Sequence, residues 1–393
     1  MVRLAVWLIL GIVTAAYTPV TVPLCLSALV ASTFAVLLLH KWPMGQSVAI
    51  AMAVFLLGLT LAARQRDELA ANNMTVRQWQ QAWKTVDPDT RLGRSRLFFL
   101  QQRERLLTHF RQQGLEGEAY ALVAAMTLGD KSAIDRDLRQ TYNVTGAAHV
   151  LALSGLHMGI IYALLSLLTL RRRRVVVQTL IVIALWAFVF IVGMPVSAVR
   201  SASMLSLYAL LSLGYREKAS LNALAFTAIV MLVVSPYTLF DIGFQMSYLA
   251  VLSILVWTPV MQSWLSPALQ QRYRLVRWTW GMVAVTLAAQ LGVAPLIAFY
   301  FGRFSTYFLL TNFLAIPGVT IIVWLALATL FVSPLVPVLT AVVRGLDTGL
   351  SLIARLPFAS IEGLHPSVLQ IVLTYVFILC VYWVICLLYP QKS

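Results

Sequence analysis

The chain has 393 residues, 60% of them hydrophobic and only 11% charged, with a mean hydropathy of +0.85. Soluble domains carry about 25% charged residues, so this composition excludes a water-soluble fold for most of the chain and describes an integral membrane protein. The formal net charge is +15, an excess that membrane topology and nucleic-acid binding both produce; where the charges lie decides between them.

Apolar windows of about 17 to 25 residues mark membrane spans. In chain order they fall near residues 4–17, 22–39 and 47–63, then, after a polar stretch to about Gly146, near 147–170, 175–193, 196–213, 219–234, 242–256, 278–301, 307–331, 336–353 and 369–389. The expected fold class is therefore all-α, a polytopic helical membrane protein with about 12 transmembrane segments. Pro295 and the pair Pro317-Gly318 interrupt two windows; proline frees backbone groups that lipid cannot satisfy, so these spans are expected to be broken or re-entrant. Arg3 before an apolar run resembles a signal peptide, but no small-x-small cleavage site precedes the second window, and an uncleaved first span is expected. Cys25, Cys380 and Cys386 lie in apolar segments and form neither a disulfide framework nor a metal spacing.

Short loops rich in Lys and Arg stay in the cytoplasm. With the N-terminus inside, the inner segments hold Arg3, Lys41, Arg171, Arg172, Arg173, Arg174, Arg216, Lys218, Arg272, Arg274, Arg277 and Lys392, twelve cations, against Arg303 and Arg355 in the short outer loops. The bias puts both termini in the cytoplasm and residues 64–146 outside. That segment holds thirteen Lys and Arg against ten Asp and Glu, but long loops are exempt from the rule. Much of the net charge is thus a topology signal.

Within 64–146, Phe99, Leu106, Leu107 and Phe110 recur at helical spacing among Arg96, Arg103, Arg105 and Arg111, the pattern of a basic amphipathic helix at an interface. A second helix is expected over residues 117–128, and a third with Ser132 as N-cap and Asp135 three residues later. Gly129-Asp130-Lys131-Ser132 suggests a phosphate loop, but Asp130 stands where its second glycine belongs.

The segment HVLALSGLHMGII, residues 149–161, places His149, Ser154 and His157 in an otherwise apolar window. On one continuous helix Ala148, Ala152, Gly155 and Gly159 would make a stripe of small side chains, a helix-packing seam, and His157 would lie about 200° from Gly155, facing away from it. His157 then either hydrogen-bonds a neighbouring carbonyl and fixes packing, or lines a path. The eight-residue gap between His149 and His157 and the lack of an acidic or cysteine neighbour argue against a metal site. Arg200 sits about four residues into its window among small residues, where it either snorkels or faces a wet interior. Asp241 is placed to cap the helix GFQMSYLAV. Gln245, Gln290, Asn312, Arg344 and Asp347 complete the intramembrane polar set, and Arg344 and Asp347, three apart, are expected to pair.

Together these segments resemble the ComEC family, whose competence domain is the inner-membrane channel for DNA uptake in naturally transformable bacteria. The matching pieces are LGD at 128–130, TGAAHVLALSGLHMG at 145–159, PVSAVRSASM at 195–204, SPYTLFDIGFQMSYLA at 235–250, and AAQLGVAPLIAFYFGRFS through NFLAIP within 288–317, in family order over about 190 residues. Family members usually add an external OB-like domain and a C-terminal metallo-β-lactamase-like domain. The helical patterns of 64–146 leave no room for an OB barrel, and no His-x-His cluster for a two-metal hydrolase is present, so no nuclease domain is expected here. The expected organisation is residues 1–63, a three-span membrane region; 64–127, an external helical segment; 128–389, a competence domain; and 390–393, a cytoplasmic tail.

The resemblance implies passage of single-stranded DNA through the bacterial inner membrane, without covalent chemistry and without a cofactor. The partners it implies, besides DNA and membrane lipids, are a separate DNA receptor, a nuclease and a cytoplasmic helicase or ATPase. A polyanion path needs cations and donors for phosphates and apolar surfaces for bases. By motif position and polarity His149, Ser154, His157, Arg200, Asp241, Gln245, Gln290, Arg303 and Asn312 are candidates for the first, and Phe244, Tyr248 and Trp257 for the second. Two alternatives remain open from the residues: a transporter or flippase of a small or lipidic anion, and an intramembrane enzyme with Ser154 as nucleophile and His157 as base.

Overall fold

A computed structural model describes residues 1–72, 74–75, 78, 91–169, 175–212 and 220–388. Arg171 to Arg174, Arg216, Lys218 and Lys392, which carry much of the topology signal, lie outside the described residues. Each of the twelve apolar windows holds an α-helix. These are α1 (Val2–Tyr17), α2 (Val22–Leu38), α3 (Pro43–Ala71), α7 (Gly155–Leu168), α8 (Val175–Ile191), α9 (Val196–Ser212), α10 (Ser220–Val234), α11 (Ile242–Ser263), α13 (Arg274–Phe301), α14 (Phe308–Thr329), α15 (Val336–Ala354) and α16 (Val368–Leu388). Between α3 and α7 lie α4 (Arg91–Gln112), α5 (Gly117–Leu128) and α6 (Arg136–Val144), and α12 (Pro267–Arg272) follows α11. Among the described residues seven helical segments are long and apolar enough to cross a membrane: Val22–Lys41, Pro43–Ala71, Ile242–Ser263, Arg274–Phe301, Phe308–Thr329, Ser333–Ala354 and Val368–Leu388. The helices in the other five windows run 14 to 17 residues.

The chain divides into two compact units, residues 1–97 with 206–248, and 98–205 with 249–393. In the first, α1 and α3 touch backbone to backbone: a Cβ on Gly11 would strike the Phe55 carbonyl, and one on Gly58 the Leu8 carbonyl. Only glycine lets two helices approach so closely, and dispersion between their backbones then replaces lipid contact. Arg66 of α3 donates to the carbonyls of Ala15 (3.3 Å), Thr18 (3.0 Å) and Val20 (2.5 Å), covering acceptors that the end of α1 leaves open. Gln65, buried beside it, accepts from the Tyr237 amide (3.0 Å) and donates to Ser235 Oγ (3.4 Å).

In the second unit α5 is apolar on every side, and its residues Ala119 to Leu128 are all buried against α14 and α15. A helix without a polar face is a core helix, so α5 belongs to the packed interior. The apolar stripe of α4, read as an interfacial face, is instead covered by protein: Leu107 and Phe110 are buried in the same core, and Phe99 stacks on Phe190. Arg103 of α4 donates to the Leu128 carbonyl (2.9 Å) at the end of α5. The side chain of Gln113, just past α4, donates to the Thr329 carbonyl (2.8 Å) at the far end of α14.

Several expectations are corrected. Pro295 and Pro317 do not break their spans, since α13 and α14 run through them; one turn before Pro295 the Gly292 carbonyl finds a donor in the Tyr375 hydroxyl (2.8 Å). The break lies in the window at 147–170, which is helical only from Gly155. Asp135 itself caps α6, accepting from the Leu138 amide (2.7 Å), whereas Ser132 bonds back to Asp130 and caps nothing. The fold also holds one antiparallel ladder, β1 (Arg303–Ser305) with β2 (Ser360–Glu362), in the register Arg303↔Glu362, Phe304↔Ile361, Ser305↔Ser360. No ion pair among the described residues joins Arg344 to Asp347: Arg344 is exposed, and Asp347 Oδ1 is buried without a hydrogen-bond partner.

Replacing Gly11 by Ala should lower the melting temperature in detergent, because overpacking a tight contact costs about 1–3 kcal/mol. Gly281→Ala, at a position where an added Cβ meets nothing within 4 Å, should leave it unchanged or raise it. Equal melting of the two variants would mean that the α1–α3 contact is not a tight one.

Candidate functional site

The break before α7 gathers the polar residues of the opening motif. Gly146, in the left-handed conformation (φ 80°), turns the chain out of α6 into a short 3-10 turn, Ala147–His149. The backbone then runs unpaired by helix through Val150 to Leu153, and Ser154 is the N-cap of α7. Backbone without a helical ladder needs other partners, and side chains supply some. Ser197 Oγ of α9 donates to the Leu153 carbonyl (2.6 Å). His149 Nδ1 lies 3.1 Å from the Gly146 carbonyl.

The Ser154 amide donates to His157 Nδ1 (3.3 Å), and Ser154 Oγ is 3.2 Å from the same nitrogen. Because Nδ1 accepts the amide proton, the neutral ring carries its own proton on Nε2. That nitrogen is buried without a hydrogen-bond partner on a side chain of 0% exposure. Helix capping therefore accounts for the Ser–His contact with no chemistry invoked.

The supposed small-residue seam is corrected as well. Ala148 and Ala152 precede α7 and share no helix face with Gly155 and Gly159. The periodicity assumed a helix that the chain does not form until Ser154. A Cβ on Gly155 would meet Ser201 Oγ of α9 at 3.2 Å, whereas one on Gly159 meets nothing within 4 Å. Ser197, Arg200 and Ser201 lie three and four residues apart on α9, on one face, so Arg200 belongs to the face turned to the α7 start; it is only 4% exposed.

The other candidates are scattered. Asp241 Oδ1 accepts from the Phe244 amide (2.9 Å), the capping role read from sequence, and Gln245 donates to the Leu239 carbonyl (3.1 Å). Phe244 and Tyr248 pack on each other, ring centroids 4.2 Å apart, in the core of the first unit, and Trp257 meets Tyr382 at 5.3 Å in the second. All three rings pack against core neighbours. Gln290 and Asn312 are half-buried on α13 and α14.

Arg303 lies elsewhere, with residues that sequence reasoning passed over. With Arg136, Arg139, Gln140, Asn143 and Val144 of α6 and Glu362 of β2 it lines a cleft of about 400 Å³. The spacing R-x-x-R-Q-x-x-N, positions i, i+3, i+4 and i+7 of one helix face, was the available signal. Nearby, burial pushes the Lys131 ammonium below its ordinary value, and the Arg139 charge acts in the same direction. Gly146 joins the two places, since a Cβ there would lie 3.0 Å from Ser305 Cβ at the end of β1.

Residues 126–387 match the family model described as "Competence protein". The chain is 30% identical over 209 residues to ComE operon protein 3 of Bacillus subtilis (strain 168), covering 52% of this chain and 25% of that one. It is 32% identical over 155 residues to an uncharacterized protein of Aquifex aeolicus (strain VF5), covering 39% of this chain and 37% of that one. The chain thus spans well under half the length of these curated relatives. No solved structure matches it.

Gly155→Leu should lower thermal stability in detergent by an overpacking cost of about 1–3 kcal/mol. Gly159→Ala should hold or raise it, because Ala in a helix interior is favoured over Gly by about 0.5–1 kcal/mol. Melting that falls equally for both would place Gly159, like Gly155, in a packed contact.

Proposed function

The chain belongs to the Competence protein family, and on that premise we propose that it passes single-stranded DNA through the bacterial inner membrane, with all twelve apolar helices inserted and both termini in the cytoplasm. The observation that carries this reading is the broken span: a loop and a helix start, capped by Ser154 and His157, lie against the face of α9 that holds the buried Arg200. A buried cation beside a helix N-terminus favours anions, and irregular backbone among membrane helices is tolerated where it is buried in protein or lines a wet path. The reading gives this chain no covalent step. Capture, cleavage and pulling of the strand fall to a separate receptor, a nuclease and a cytoplasmic helicase or ATPase. A transporter of a small or lipidic anion would use the same device, and the family membership is what favours DNA.

Two experiments test it. In a deletion strain complemented with this gene, His157→Ala and Arg200→Gln should lower DNA uptake at least several-fold at unchanged protein abundance. Loss of protein with uptake per molecule preserved would make both residues structural. For orientation, a membrane-impermeant thiol reagent should label a cysteine at Ser132 and not one at Gln262 in intact cells stripped of their outer barrier; the reverse pattern would invert the topology.

A further inference from the structure

The cleft between α6 and the β1–β2 ladder is separate from the broken span, and its chemistry is that of a phosphate site. Arg136 and Arg139 rise from one face of α6, with the Gln140 and Asn143 amides on the same face, while Arg303 stands on the opposite wall. Three guanidiniums confront a single carboxylate, Glu362, which sits across the ladder from Arg303. Leu138 and Tyr142, on the other side of α6, are buried in the core and hold the basic face outward. Guanidinium is planar, always charged and suited to bidentate contact with phosphate oxygens. No aromatic side chain is among the described lining residues, so what the three guanidiniums offer is contact with phosphate, which positions a strand.

Position adds a direction. The face runs along α6 from Arg136 to Asn143, and Gly146 then turns the chain against Ser305 into the loop that leads to Ser154. We propose that this cleft binds the phosphodiester backbone of the incoming single strand and delivers it to the broken span; the proposal rests on the DNA-passage reading. Glu362 weakens the hold, which keeps a translocating strand from being trapped.

The test uses the full chain in zwitterionic nanodiscs, with a fluorescent oligothymidylate as probe and anisotropy as readout. Each phosphate contact contributes a slope of about −0.7 to log K against log salt for single strands. The double variant Arg136→Gln, Arg139→Gln should bind roughly tenfold or more weakly and show a salt slope shallower by about 1.4. Glu362→Gln should bind more tightly, a gain that misfolding does not produce. Unchanged affinity and slope in the double variant, or no gain with Glu362→Gln, overturns the cleft as a DNA site. If the double variant instead loses binding of anionic-lipid vesicles while oligonucleotide binding stays intact, the cleft is a headgroup site and the proposal falls. DNA uptake by the wild-type gene in the deletion strain is scored in parallel. Uptake without cleft dependence refutes the cleft alone, whereas absence of uptake despite normal abundance refutes the DNA-passage reading.

Discussion

In an apolar medium the backbone is the costliest polar surface a chain carries, and each N–H and C=O needs a partner from the protein itself. Helices meet the need within one segment, which is why the apolar windows became helices whatever their individual propensities. The remaining problem is the helix ends and irregular stretches, and several polar side chains of this protein serve them. Arg66 covers three carbonyls at the turn after α1, Asp241 takes a free amide at the start of α11, and Tyr375 donates to Gly292 beside Pro295. The stretch before α7 is the largest exception, and there Ser197, Ser154 and His157 supply partners that a helix would otherwise provide. A break maintained by several dedicated side chains is a built feature, which is why it anchors the functional reading.

The same constraint explains what was legible in the sequence. Apolarity is a property of windows, so twelve helices could be read from composition and Asp241 from its place before a helix, whereas α5 was legible as a helix but its burial in the core was not. Whether backbone inside an apolar window is helical is a different question. LALSG contains no proline, and Ser154 and Gly155 are ordinary residues of membrane helices, so the break at Ser154 left no compositional mark, while the two conspicuous prolines marked no break at all. The stripe through Ala148 and Ala152 inherited that error, because a 3.6-residue period has meaning only where the helix exists. The tight backbone contacts at Gly11 and Gly58 join positions far apart in sequence, and the β1–β2 ladder pairs two three-residue strands; pattern within a window detects neither.

The positive charge divides along a related line. Cations in short loops set topology by resisting translocation and say little about a ligand. The guanidiniums of Arg136, Arg139 and Arg303 differ because the fold collects them from segments more than 160 residues apart in the chain and faces them across one cleft. Like charges repel, and nothing in membrane insertion requires such a gathering, so its maintenance against that repulsion points to an anionic occupant.

That cleft also constrains topology without reference to hydropathy. Residues of α6, β1 and β2 line it together, so all three must lie on one side of the bilayer. The chain therefore crosses an even number of times between Val144 and Arg303, and again between Ser305 and Ser360. Helices α7, α8, α9, α10, α11 and α13 occupy the first interval, and α14 with α15 the second. If any one of the short helices α7 to α10 failed to cross while the others did, Arg303 would stand across the membrane from Arg139. The short helices must therefore cross together or drop out in pairs, a condition that loop charges alone do not impose.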